Sequence, residues 1–279
     1  MVMKRGFYPL VYIMLSAAVM LLISSCATLS RNGVGRVKRY TVENADVPRQ
    51  FDGFKVAFVS DLHYPSLFSE KRLGKLVACL EREKPDVFLL GGDYVTDNDS
   101  IDALFGTLSA VEPRFGICAV LGNHEGKNGT LIAEAMQRSG ILLLEDSVIE
   151  LRDDEAAIYL VGIRNSFAFD SVAGPPGRNL PDDAFVMMLA HTPDYAERSN
   201  TTADLILSGH THGGQVTLFG IYTPVKNSAY GTRFLRGRNV TSNGSTVITT
   251  NGVGTSRKRV RFCVPSEVVV VTLRSKPSR

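Results

Sequence analysis

The stretch Phe54-Lys55-Val56-Ala57-Phe58-Val59-Ser60-Asp61-Leu62-His63 joins a short apolar run directly to an Asp-x-His triplet. An apolar run of this length, closed by small and polar residues, predicts a buried strand. The layout recurs twice downstream: Asp86 to Leu90 runs into Gly91-Gly92-Asp93, and Ile117 to Leu121 runs into Gly122-Asn123-His124-Glu125. Between the runs, Ser69 to Arg82 carries Leu73, Leu76, Val77 and Leu80 at helical spacing. Ile101 to Val111 and Thr130 to Ser139 are helical in the same way. A β-α-β-α-β order predicts a mostly parallel sheet covered by helices. In such sheets, sites form beyond the carboxyl ends of the strands.

The second half is richer in strands. Val148 to Leu151, Ala156 to Ile163, Ala184 to Ala190, Leu205 to Ser208, Gln215 to Phe219, Ser245 to Thr250 and Val268 to Leu273 all have the character of strands, and helical content falls. The expected fold is therefore α/β: two packed mixed β-sheets flanked by helices, a four-layer αββα sandwich. Segment 164–183 contains Gly174-Pro175-Pro176-Gly177 and reads as an excursion loop. Its Phe167 and Phe169 are expected to pack locally, with capping of a site as the alternative.

The N-terminus is set apart. Lys4 and Arg5 precede an uncharged stretch from Gly6 to Ser30, apolar from Leu10 to Ile23. Two readings stand. Ile23-Ser24-Ser25-Cys26 resembles a bacterial lipobox, with Cys26 acylated after cleavage of a signal peptide. Alternatively, the segment is an uncleaved membrane helix facing its domain to the cytoplasm. The first is preferred, and either tethers the domain to a membrane. The expected organisation is 1–30 as signal, lipoprotein or membrane-anchor segment, 31–50 as linker and lead-in strand, and 51–279 as the main domain.

Composition adds limits. A hydrophobic share of 44% supports a substantial core, and a net charge of +3 does not by itself argue for nucleic acid. The charge is uneven: no acidic residue lies between Asp204 and Glu267, where Lys226, Arg233, Arg236, Arg238, Arg257, Lys258, Arg259 and Arg261 all fall. That is either a solvated face or a positive field toward a phosphate-bearing substrate or an anionic membrane. The stretch lacks an aromatic-basic platform for nucleic acid. Beyond Cys26, only Cys79, Cys118 and Cys263 remain. An odd number in scattered positions argues for small buried hydrophobes rather than a disulfide framework.

All five histidines fall in short polar motifs, most of them at predicted strand ends. To the three above are added His191-Thr192-Pro193 and Gly209-His210-Thr211-His212-Gly213-Gly214. Imidazole nitrogen with Asp and Asn oxygen is the donor chemistry of divalent transition metals. Paired imidazoles flanked by glycine are poorly explained by core packing. Taken singly, each motif has an ordinary structural explanation; the ordered set does not.

In that order the motifs resemble those of the calcineurin-like metallophosphoesterases, over roughly residues 54–273. Ser60 to His63, His191 to Asp194 and Gly209 to Gln215 are similar to a small membrane-associated subgroup, which includes UDP-2,3-diacylglucosamine hydrolases and broader phosphodiesterases. The resemblance implies two divalent ions, Mn, Fe or Zn. Asp61, His63 and His212 would hold the first, Asn123, His191 and His210 the second, and Asp93 both. Water activated by the ions would attack a phosphodiester or pyrophosphate in line, with His124 donating to the phosphoryl or leaving-group oxygen. Glu125 stands where many members have Asp, which bears on the orientation of His124. The implied partners are a phosphoester substrate, with lipid-linked compounds such as UDP-2,3-diacylglucosamine among the candidates, and a membrane. No nucleic acid is expected, and a monomer is the default. The alternatives are a broad phosphodiesterase or nuclease, and a non-catalytic scaffold of the same fold.

Overall fold

Each apolar run of the first half becomes a strand of one sheet. The computed structural model describes residues 11–16, 34–168, 174–218 and 220–276. Cys26, Phe169 and most of the 1–30 segment lie outside the described residues; 11–16 are helical, with exposed apolar side chains at 11–15. Among the described residues no helix is long and apolar enough to cross a membrane.

Strands β1 (Arg36–Asn44), β2 (Lys55–Val59), β3 (Val87–Leu90), β4 (Ile117–Ala119), β5 (Ile141–Leu143) and β12 (Glu267–Ser275) form the first sheet, in the order β1-β12-β2-β3-β4-β5. β2 to β5 are parallel, and β12 runs against β2. β6 (Ser147–Asp153), β7 (Ala156–Gly162), β8 (Val186–Leu189), β9 (Leu205–Ser208), β10 (Gly237–Val240) and β11 (Thr246–Thr249) form the second, ordered β10-β11-β9-β8-β7-β6. Both sheets are mixed, as expected.

The sheets face each other across one apolar layer. Val56, Phe58 and Leu89 of the first sheet pack with Leu160, Met187 and Leu207 of the second. The alternate residues Ala57, Val59 and Leu90 face helices α1 (Glu70–Glu83), α2 (Ile101–Leu108) and α3 (Gly129–Arg138). Burial on both faces is why β2 and β3 read as continuous apolar runs rather than as alternation. Each fully buried Phe or Leu contributes roughly 1.5–3 kcal/mol of transfer free energy. In α1, Leu73, Leu76, Val77 and Leu80 form the buried stripe, and Lys84 in the left-handed region ends the helix. The fourth layer is thin: the outer face of the second sheet is covered by the five-residue α4 (Asp194–Arg198) and by Tyr230 and Phe234.

One expected strand is absent. Gln215 to Phe219 was expected to extend, but among its described residues it makes only the isolated pairs Val216–Phe262 and Leu218–Tyr222. Gly213, Gly214 and Gln215 all have positive φ, so the chain turns immediately before the run. Conversely, β10 forms from Gly-Arg-Asn-Val at a sheet edge, where one paired side suffices and no apolar signal is needed. Cys79 and Cys118 are free and buried.

The chain enters the first sheet at the end that carries the motifs. β12 opposes β2 with Val269 beside Phe58, and β1 runs parallel to β12 with Arg36 beside Glu267. The start of β1 therefore lies where β2 leaves for Asp61.

Candidate metal centre

The two sheets share an edge at which eight motif residues meet. From the first come Asp61 and His63 after β2, Asp93 after β3, and Asn123 and His124 after β4. From the second come His191 after β8, and His210 and His212 after β9. Asp61 and His191 are fully buried and form the floor. His63, Asp93, Asn123, His124, His210 and His212 line a cavity of about 660 Å³ above them.

Backbone bonds from one motif to the next fix the carboxylates. The His210 N–H donates to both oxygens of Asp61, at 3.1 and 3.0 Å. The His124 N–H donates to Asp93 Oδ1 at 3.0 Å. That leaves Asp93 Oδ2 facing three imidazoles: His191 Nε2 at 3.5 Å, His63 Nε2 at 3.7 Å and His124 Nε2 at 3.8 Å. His63 and His212 stack with their Nε2 atoms 3.2 Å apart, and His212 Nε2 lies 3.4 Å from Asp61 Oδ1. His191 Nδ1 is 2.6 Å from the Gly91 carbonyl, a donor bond that leaves Nε2 free of a proton when the ring is neutral; Nε2 is 3.2 Å from Asn123 Oδ1.

This packing leaves no room for side chains at the neighbouring glycines. A Cβ at Gly122 would lie 2.3 Å from Asp93 Oδ1, and one at Gly209 2.1 Å from Ser60 Oγ. Asp61, His63, Asp93, His210 and His212 all have φ between 51° and 65°. Left-handed backbone at non-glycine residues costs about 1–2 kcal/mol each, and such outliers cluster at functional sites.

The electrostatics suit cations. Burial pushes His63 down to about 4, and lowers His210 and His212 as well, with Arg261 adding to the effect at His212. Neutral imidazoles are the ligating form. For His191 burial also acts downward, but the carboxylates of Asp93 and Asp61 outweigh it and lift the ring to about 10. Burial opposes ionisation of Asp93, yet the surrounding imidazoles hold its carboxyl well below the usual range. The donor atoms of Asp61, His63 and His212 lie within 4.8 Å of one another, as do those of Asp93, His191 and His210. The donor set therefore fits a dinuclear divalent site.

Three neighbours complete the arrangement. Glu125 is buried and accepts from the N–H groups of Asp93 (2.9 Å), Tyr94 (2.8 Å) and Gly122 (2.6 Å). It thus ties the start of the loop that bears His124 to Asp93 and Tyr94. Arg261 is 3% exposed and donates to the carbonyls of His212, Asn251, Gly252, Gly254 and Val264. It is not part of an exposed basic face, and nothing in the sequence separates it from its neighbours. Phe167 does not pack locally: its ring meets His210 edge to face at 4.9 Å.

The calcineurin-like phosphoesterase family profile matches residues 54–214. Over 251 residues the chain is 30% identical to an uncharacterized metallophosphoesterase of Aquifex aeolicus, covering 86% of this chain and 92% of that one. It is 34% identical over 214 residues to the phosphodiesterase YaeI of Escherichia coli, with 72% and 75% covered. A dimetal phosphatase of known structure from Danio rerio overlays 79% of this chain and 99% of its own, at 12% identity and a TM-score of 0.48.

Proposed function

The chain belongs to the calcineurin-like phosphoesterase family and is a metal-dependent phosphoester hydrolase; from that premise we propose that it cleaves a phosphodiester or pyrophosphate bond in a lipid-linked substrate. Asp61, His63 and His212 would hold one divalent cation, Mn, Fe or Zn, and Asn123, His191 and His210 a second. Asp93 would serve both; its Oδ1 accepts from the His124 N–H and its Oδ2 faces the rings of His63, His124 and His191. When bound, such ions supply Lewis acidity and lower the pKa of water.

The chain's own groups do the rest. His124, half exposed at the cavity beside Asp93, would give a proton to the departing oxygen. Arg257 and Lys258 on the cavity wall favour an anionic substrate. The observation that carries the lipid-linked reading is the rest of that wall, where Leu67, Val216, Pro224, Val225 and Val260 present apolar surface within the same cavity as the histidines. A small phosphomonoester needs no such surface; an acyl group does. The N-terminal apolar segment, through Cys26 or as a helix, would keep the enzyme at the membrane that holds its substrate.

The test is turnover by the full chain in detergent, with and without Mn, beside an Asp93→Ala variant. The substrates are bis-(p-nitrophenyl) phosphate, p-nitrophenyl phosphate and UDP-2,3-diacylglucosamine. Metal-dependent turnover, lost in Asp93→Ala and favouring the lipid-linked compound over both nitrophenyl esters, is the expected result. Turnover of the soluble diester alone refutes the lipid-linked reading. No turnover of any compound by the metal-loaded chain refutes the assignment of a phosphodiester or pyrophosphate substrate.

A further inference from the structure

Outside residues 11–15, eleven large hydrophobic side chains are exposed among the described residues, and six of them lie in two loops at the cavity mouth: Val216, Leu218, Ile221, Tyr222, Val225 and Val260. Ile221 is 87% exposed and Tyr222 63%. Leu218, Ile221 and Tyr222 do not line the cavity, so an acyl chain bound inside it would leave them in water. An apolar cluster of this kind on a soluble surface marks an interaction site.

The two loops are built to hold these side chains outward. The Thr217 N–H donates to the Phe262 carbonyl and the Phe262 N–H to the Gln215 carbonyl. The Gln215 amide donates to the carbonyl of Ser256 and accepts from its N–H. The Thr223 hydroxyl bonds the carbonyls of Gly214 and Val225. Around the apolar cluster stand Lys226, Arg257, Lys258 and Arg259, all exposed. None of the four makes an ion pair among the described residues. No acidic residue occurs anywhere between Asp204 and Glu267 to offset them.

We propose that this face docks on an anionic lipid surface, with Leu218, Ile221 and Tyr222 entering the headgroup–acyl boundary and Lys226, Arg257, Lys258 and Arg259 meeting the headgroups. An apolar tip ringed by cations is the chemistry of interfacial membrane binding. A second copy of the chain is the poorer occupant: a two-fold interface would set Lys226, Arg257, Lys258 and Arg259 against the same four cations. The topology agrees. β1 begins at the sheet end where the site lies, so the chain enters the first sheet on that side. The proposal concerns orientation on the membrane and is independent of which bond the site cleaves.

The chain contains no Trp, so a single Trp is an unambiguous reporter. The experiment places Ile221→Trp in one full-length variant and Leu142→Trp, an exposed position on the edge strand β5, in another. Each is reconstituted in vesicles of phosphatidylcholine with phosphatidylglycerol, and in phosphatidylcholine alone, with brominated acyl chains as quencher. The expected result is strong quenching and a blue-shifted emission at position 221 in the anionic vesicles. Quenching should weaken in phosphatidylcholine alone and in high salt, and position 142 should stay unquenched throughout. Equal quenching at the two positions in anionic vesicles overturns the proposal. So does a blue shift at 221 that grows with protein concentration in detergent without lipid, which would assign the face to a second copy. None of these readouts requires turnover, so the proposal fails or stands separately from the substrate reading.

Discussion

Removing the Glu125 carboxylate should loosen the metal centre without touching a ligand. Its two oxygens accept three backbone N–H bonds, from Asp93, Tyr94 and Gly122, at 2.6 to 2.9 Å. Burial, and then the nearby Asp93, push its carboxyl up, while the N–H groups of Tyr94 and Asp93 pull it back. In Glu125→Ala the three donors lose their partner. Each buried orphan costs about 1–3 kcal/mol, and water entering the vacated space recovers part of it, so the net loss is about 2–6 kcal/mol. In Glu125→Gln the amide oxygen still accepts on one side while the NH₂ faces a donor on the other, a loss of about 1–3 kcal/mol. The Gly122–His124 loop and Asp93 are both held by these bonds, so metal affinity should fall by about 10–100-fold, as when the outer partners of other metal ligands are removed. Urea unfolding of the chelator-treated full chain and a Mn titration measure the two effects. If Glu125→Ala unfolds within about 0.5 kcal/mol of the parent and binds Mn equally well, the loop is held by something else and the reasoning is wrong.

Further predictions concern the groups around that loop. His124→Asn should lower kcat by about 10²–10⁴-fold, most for substrates with poor leaving groups, while leaving bound metal in place; loss of metal instead would make His124 a ligand. Gly209→Ala should cost about 1–3 kcal/mol because its Cβ would meet Ser60 Oγ and Asp61 Oδ2, whereas Gly74→Ala on the open face of α1, with nothing within 4 Å, should stabilise by about 0.5–1 kcal/mol; thermal unfolding compares the two. In chelator-treated protein, His63, His210 and His212 are held below the ordinary histidine value, so the unfolded chain takes up protons first and stability falls with pH from about 6.5 toward 4, by about 3 kcal/mol from His63 alone. His191 has the opposite sign: its contribution is complete below about 6.5 and is lost as pH rises through about 10, and urea midpoints across pH check both arms. Because His191 is protonated near neutral pH, metal uptake there should release about one proton from it, read from calorimetric enthalpies in buffers of different ionisation heat.

What the sequence revealed follows from what burial does to composition. β2, β3, β8 and β9 are covered on both faces, so apart from Lys55 and Ser208 at two strand ends their residues are apolar, and their boundaries show against Gly, Asp and His. The histidines were legible because none serves elsewhere, and the strand ends placed them together. β10 was not legible, since an edge strand with alternating exposure can be built from Gly-Arg-Asn-Val. The run Gln215 to Phe219 misled for the reverse reason. Val216 and Leu218 alternate with Thr217 as in a half-buried strand, but here it is Thr217 that is buried while both apolar side chains face solvent. Periodicity reports that one face differs from the other; it does not report which one meets the core.

The supports of the site escape sequence reading for a related reason: they act through the backbone. Glu125 binds three N–H groups and Arg261 five carbonyls, with the His212 ring as the one partner side chain, at 3.4 Å from Arg261. These bonds have a specific task. Five of the candidate ligands sit at positive φ, a geometry that at about 1–2 kcal/mol each an unsupported loop would relax. Asp61 holds the N–H of His210, Asp93 that of His124, and Arg261 the carbonyl of His212. The carboxylates thus both present oxygen to a cation and brace the turns that present the imidazoles. Changing a ligand type at Asp61 or Asp93 therefore removes a donor and a brace at once, whereas Glu125 and Arg261 allow the brace to be altered alone.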